Sequence, residues 1–466
     1  MACLERSPSV AAALPSAGAA AVTWTAPRTW TLVACLAFLF ATAYAIAVVV
    51  FRLPLPGLQE PHLFRVALAL HVELAVFFWL TATMASLWAA AADPGPVGTT
   101  TRTSWLPLAA GLGTLLTVFS PLAGGTPLMA DYFPWLTGNA LFATGFALFT
   151  AAVAAAALGA VYRWLAGRER GAWRGAGLAA LPVLAALLTA LVDVACGARD
   201  LTVIAWGAGH ALLFAHVASM CWEWGRFCRD SGGSDGIQRA AAGVLAAVSL
   251  GLPAIPLVYA PGSGEHGPTF TWAMSWLLWP PALVAGLATA RHFLSGRPRA
   301  QAGQLAPGLY FGLAFAFFLV GNLLGMLITG PTTLVTAHYH AAIGAVALTR
   351  MASTYHAVNV LGFGRPAVKA MRRQLLTYAA ALLLLFSGLT LGALDAAPRK
   401  TSAGELVTKG PYFKVGMSIS GVGGLFAIAG SLWLLVNVLS PAVTRREPRP
   451  SGRRADPHAS PPRRPS

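Results

Sequence analysis

Long apolar runs broken by short polar loops fill this chain from about residue 30 to residue 439. Twelve of them are about 20 residues long or longer, the length an α-helix needs to cross a hydrocarbon core. They are Trp30–Phe51, Val66–Ala92, Trp105–Leu122, Trp135–Trp164, Gly175–Cys196, Leu201–Trp224, Gln238–Tyr259, Phe270–Phe293, Ala306–Gly330, Thr332–Val360, Gln374–Leu394 and Phe413–Leu439. Short loops make sequence neighbours antiparallel. The pattern predicts an all-α polytopic membrane protein, about 12 transmembrane helices in one bundle, occupying residues 28–440. Residues 1–27 are rich in Ala, Ser and Pro, and Glu5, Arg6 and Pro8 interrupt any secretory core, so a disordered cytoplasmic tail is predicted. Residues 441–466, rich in Pro and Arg, are predicted to be a disordered basic tail.

Composition agrees: 56% hydrophobic residues and 10% charged exclude an ordinary soluble domain. The formal net charge of +16 would suit nucleic acid, but its placement does not. Arg163, Arg168, Arg170 and Arg174 follow the fourth span, Arg226 and Arg229 the sixth, Arg291, Arg297 and Arg299 the eighth, and Arg365, Lys369, Arg372 and Arg373 the tenth. Loops after odd-numbered spans are poor in Lys and Arg, so the positive-inside rule puts both termini in the cytoplasm. The exception is the loop after span eleven, with Arg399, Lys400 and Lys409. The partner this charge implies is membrane lipid, with no nucleic acid. Usage rich in Ala and Arg suggests a bacterium, hence its inner membrane. Five scattered cysteines, with no CxxCH, predict neither covalent haem nor a cysteine-bound cluster.

Chemistry enters with the histidines. His71, His210, His338 and His340 lie on three spans distant in sequence, all roughly 10–15 Å below the outer surface at 1.5 Å rise per residue. Ionisable groups inside a bilayer are costly and mark function, and imidazole is a ligand for haem iron and copper. His338 and His340 are about 200° apart on a helix, so they leave opposite sides and serve two cofactors rather than one. Gly207, Gly209 and Gly344 would let a flat macrocycle approach the backbone, and Trp206 sits within reach of His210. Other embedded polar residues are Glu73, Asp193, Glu223 and Arg350, of which Glu223 and Arg350 are expected to snorkel to the cytoplasmic side.

The segments 71-HVELAVFFWL, 205-AWGAGHALLF and 335-VTAHYHAAIG, on a twelve-span frame, resemble subunit I of the haem–copper oxidase superfamily, which contains cytochrome oxidases and nitric oxide reductases. The resemblance covers Trp30 to Leu439, and the His-x-His of span ten is its specific part. It implies that His71 and His340 are the axial ligands of a low-spin haem b and that His338 is the proximal ligand of a second, high-spin haem. His210 corresponds to the first ligand of a second metal, copper or non-haem iron. Arg399 and Lys400 correspond to the groups that bind haem propionates. The implied partners are cytochrome c, or a cytochrome or copper subunit, as electron donor, together with other oxidase subunits.

Two departures stand out. The family's second metal takes an adjacent His-His pair near the outer end of span seven; here the stretch reads 256-PLVYAPGSGEHGPTFTW, with His266 the only histidine. Catalytic metal sites normally use about three protein ligands. The family's tyrosine or glutamate one turn after the first metal ligand is here Phe214; Tyr259 lies at an outer end, and His216 is about 240° round the helix from His210. The reading is a respiratory electron-transfer protein resembling a terminal oxidase that reduces O2 or NO. The alternatives are a non-catalytic relative without the second metal, serving electron transfer, gas sensing or assembly, and a twelve-span transporter.

Overall fold

The computed structural model describes residues 25–52, 60–92, 105–169, 174–295, 305–361, 363–364, 366–400 and 410–443. The tails predicted to be disordered lie outside the described residues, apart from residues 25–27 and 441–443. Among the described residues there are twelve long helices: α1 (Ala26–Arg52), α2 (Pro61–Ala92), α3 (Trp105–Ala123), α4 (Ala140–Leu165), α5 (Ala176–Ala195), α6 (Leu201–Asp230), α7 (Gly236–Val258), α8 (His266–Leu294), α9 (Pro307–Met326), α10 (Thr333–Val360), α11 (Val368–Ala393) and α12 (Pro411–Val443). Eleven of them are long and apolar enough to cross a membrane. The twelfth, α10, has 28 residues, about 42 Å of helix, but the His338-Tyr339-His340 triplet and Arg350 dilute its apolarity.

Local chemistry explains the boundaries. Sequence patterning starts the fourth span at Trp135, whereas α4 starts at Ala140. Asn139 intervenes: its side chain accepts a hydrogen bond from Phe142 N at 2.8 Å and caps the helix. Residues before it pair instead as a small antiparallel hairpin, β1 (Thr126–Leu128) with β2 (Trp135–Thr137), Thr126 opposite Thr137. Asp200 caps α6 and Thr332 caps α10 in the same way. Pro61 and Pro307 occupy first turns, where a missing N–H costs nothing. In α8 a π-helical stretch, Met274–Leu278, precedes Pro280 and Pro281. Those prolines cannot donate to the carbonyls one turn back, and the ladder widens there. In α2 a π-helical stretch, Glu73–Trp79, begins two residues after His71 with no proline nearby. Such stretches are often found at functional sites.

Most consecutive helices pack side by side, but α3 packs on α1 and α4 rather than on α2, and α1 also packs on α12. α6 runs through the interior, in contact with α5, α7, α8 and α10. Lipid gives no hydrophobic drive for helices to associate, so small residues that let backbones approach carry much of the packing. The α11–α12 crossing shows this: a Cβ on Gly416 would lie 2.4 Å from Gly388 O, and one on Gly423 would lie 2.4 Å from Leu385 N. Gly416→Leu is therefore expected to lower stability by about 1–3 kcal/mol through overpacking, measured by thermal unfolding in detergent. Gly312→Leu, whose Cβ meets nothing within 4 Å, should leave the transition unmoved.

Candidate functional site

His71 on α2 and His340 on α10 line one cavity of about 340 Å³, within the size range of small-molecule sites. α10 contributes Thr336, Tyr339, His340, Ile343, Gly344 and Ala347, one stripe at helical spacing. Its other walls come from α1, α11 and α12, where Gly421 and Gly424 keep the wall thin. Both imidazoles are oriented by backbone. His71 Nδ1 is 2.9 Å from Ala41 O, and His340 Nδ1 is 2.8 Å from Thr336 O. A ring nitrogen facing a carbonyl carries the proton, which fixes the tautomer and leaves the lone pair on Nε2, the arrangement typical of metal-ligating histidine. These residues fit a haem held between two imidazoles.

One end of the cavity is charged. Arg399 and Lys400, expected from sequence on the outer side, line it together with Asp131 and Tyr132 from the loop between β1 and β2. Arg399 Nη2 donates to Asp131 Oδ2 at 2.8 Å, Lys400 Nζ donates to Asp131 Oδ1, and Lys400 also reaches Met129 O at 2.8 Å. Backbone hydrogen bonds fix this segment against the start of α10, Thr333 N to Ala397 O at 2.8 Å and Arg399 N to Pro331 O at 3.1 Å. Two residues of the cluster, Tyr132 (φ 68°) and Lys400 (φ 61°), hold left-handed backbone that non-glycine residues avoid. Strain of this kind survives where surrounding contacts over-determine it. Asp131 and Tyr132 were not legible in the sequence, because no motif marks a loop whose importance comes from where the hairpin folds.

His338 leaves α10 on the opposite side, as the rotation required. Its ring presses on α9, with Nδ1 2.7 Å from Gly321 O, and a Cβ on Gly325 would collide with it at 2.9 Å. His210 has Nδ1 2.7 Å from Trp206 O, while its Nε2 lies 3.4 Å from the Tyr132 hydroxyl. The Tyr132 ring rests against Gly209, where a Cβ would come within 2.4 Å, so this glycine accommodates a phenol. Trp206 does flank His210, at 4.7 Å between ring centroids.

The second metal does not fit. Among the described residues no group of three or more His, Cys, Asp or Glu could hold a metal ion. His266, which lies just before the eighth span read from the sequence, begins α8, is 2% exposed, and is bonded through Nε2 to Asp193 at 2.8 Å. Phe214 is fully buried and Tyr259 is at the surface. The expectation that Glu223 and Arg350 snorkel is also corrected. Both are 0% exposed and ion-paired with each other between α6 and α10, because each lies too far inside the bundle for its head to reach water. Glu73 is fully buried as well, and is absent from the cavity wall that His71, Ala75 and Trp79 form.

Burial pushes the Asp131 carboxyl up, but Lys400 and Arg399 together outweigh it and hold it below its ordinary value. A depressed carboxyl contributes stability that is complete above its unfolded value of about 3.9 and is lost as pH falls through the lower folded value. Asp131→Asn is expected to cost about 1–2 kcal/mol at pH 7, discounted for partial exposure. In thermal unfolding the gap between variant and parent should hold down to about pH 4 and narrow only below it.

No family model matches the sequence, and no curated protein matches it. Among solved structures, the chain is similar to a haem–copper terminal oxidase whose dimer was determined by cryo-electron microscopy: 16% identity over 90% of this chain and 84% of that one, with a TM-score of 0.64. At that identity the likeness concerns the fold, and the fold of this multi-pass membrane protein is the one seen in a haem–copper terminal oxidase.

Proposed function

We propose that this protein is a haem-binding electron-transfer subunit of the haem–copper oxidase class, in a bacterial inner membrane with both termini cytoplasmic. A low-spin haem b would sit between His71 and His340, with Arg399 and Lys400 toward its propionates. A second, high-spin haem would take His338. The observation that carries this reading is the single cavity walled by His71 and His340, each with Nδ1 on a backbone carbonyl. Bound haem iron would supply one-electron transfer and, at an open coordination position, binding of a diatomic gas. The chain's own groups orient the rings, keep the macrocycle among apolar walls, and meet its acidic edge with two cations. Asp131 offsets part of that positive charge, so the mouth is not left with two unpaired cations when the cavity is empty. Electrons would come from cytochrome c or from a cytochrome or copper subunit, other oxidase subunits completing the assembly.

A second reading is a relative without the second metal, serving electron transfer, gas sensing or assembly. The Tyr132 hydroxyl at His210 Nε2, the nitrogen a metal would need, favours it. The purified protein is expected to give a b-type band in a reduced-minus-oxidised spectrum. His71→Ala or His340→Ala should abolish the low-spin component, and His338→Ala should abolish carbon monoxide binding while sparing that component. An unchanged spectrum in the first two variants would defeat the ligand assignment. Metal analysis separates the readings: about one copper or non-haem iron per chain, beyond haem iron, supports the full reaction, and its absence supports the second.

A further inference from the structure

The π-helical stretch Glu73–Trp79 of α2 has no proline to cause it, and it lies between two points at which α2 is held to α1. Before it, His71 Nδ1 donates to Ala41 O at 2.9 Å. At its end, Trp79 stacks on Phe38 with ring centroids 4.0 Å apart. Phe38 and Ala41 are three residues apart on α1, so one face of α1 holds both. His71 and Trp79 also line the same cavity. The two side chains must therefore point the same way.

An uninterrupted α-helix does not achieve this. Eight residues advance it by about 800°, which leaves His71 and Trp79 about 80° apart. A π turn takes up one extra residue, because its bonds run i→i+5. The same stretch then counts as about seven helical steps, roughly 700°, and the two side chains come within about 20° of one another. Rewound as α-helix from a fixed Trp79, α2 would put Val72 where His71 now stands and turn His71 aside by about 100°. An isopropyl group binds no metal. The carbonyls of the stretch meet side chains: Thr81 Oγ1 donates to Phe77 O, and Thr83 Oγ1 to Trp79 O at 2.9 Å. From α6, the ring of His216 lies in polar contact with the Val76 carbonyl. His216 is 0% exposed, and neither ring nitrogen completes a hydrogen bond. Burying an imidazole in this way is costly, so its place against the widened turn calls for a reason.

We propose that the π turn sets the register that aims His71 at His340, and that His216 is the positioning residue that holds this turn open through the Val76 carbonyl. The proposal rests on the haem reading above, which gives that aim its purpose. His216 acts on His71 only through the winding of α2. Closing the turn at constant chain length misdirects His71, whereas closing it by removing one residue leaves both flanks in place.

The test uses the full chain in lipid nanodiscs and reads low-spin haem per chain from the reduced-minus-oxidised spectrum. His216→Leu is expected to lower it at least fivefold, with carbon monoxide binding at the second haem within about twofold of the parent. His216→Gln, which keeps an N–H donor, should hold low-spin haem within about twofold. The decisive variant is deletion of Glu73, whose side chain neither lines the cavity nor finds a hydrogen-bond partner. It leaves His71 and Trp79 seven residues apart in a plain α-helix and should retain parental low-spin haem. Added to His216→Leu, the same deletion should restore the signal, because a closed turn needs no holder. Parental low-spin haem in His216→Leu overturns the role of His216. Loss of the signal on deletion of Glu73, through misfolding or otherwise, overturns the register. A His216→Leu chain that aggregates is decided by the double variant: recovery supports the proposal, and no recovery overturns it. A parent chain with no haem band overturns the haem reading, and this inference with it, whereas failure of the variants alone leaves the haem reading standing.

Discussion

A polar group inside a bilayer must find its partner within the protein, and that constraint organises this structure. No water is at hand in the hydrocarbon region, so each buried donor is met by a backbone carbonyl or an opposing charge, or is left at high cost. Four histidines obey it uniformly. His71, His210, His338 and His340 each direct Nδ1 at a main-chain oxygen, 2.7–2.9 Å away. What satisfies the ring also fixes its tautomer, so one hydrogen bond both makes the residue tolerable in the membrane and puts the ring's lone pair on Nε2.

Helical rotation then divides the labour. Adjacent-but-one positions on α10 cannot share a ligand, so His340 joins His71 around a cavity while His338 is pressed against α9. Glycines decide how close each ring comes. Gly325 yields to His338 and Gly209 to Tyr132, a phenol that reaches His210 from the β1–β2 hairpin. The surroundings of His210 are occupied by Tyr132, Trp206 and Phe270 rather than by further ligands.

Charge is handled differently at the two ends. At the mouth of the cavity Asp131 ties Arg399 and Lys400 to the hairpin, and strained backbone at Tyr132 and Lys400 shows how tightly that cluster is held. On the basic side the ions are buried between α6 and α10. Both arrangements neutralise charge locally, which a low-dielectric surrounding demands.

Sequence alone determined the number of long helices among the described residues, because apolar runs of spanning length admit no other structure in lipid. It also determined that His338 and His340 diverge, since rotation per residue is a property of the helix itself. Boundaries failed where side-chain capping competes with hydropathy, as at Asn139, whose cap turns Trp135–Thr137 into a strand. Tertiary structure decided which residues from different helices meet. Asp131 and Tyr132 became site residues, His266 became the partner of Asp193, and Glu223 and Arg350 became a buried pair instead of two snorkelling ends. Those outcomes depend on the relative placement of helices, set by glycine contacts between distant segments, and hydropathy along a single chain carries no record of them.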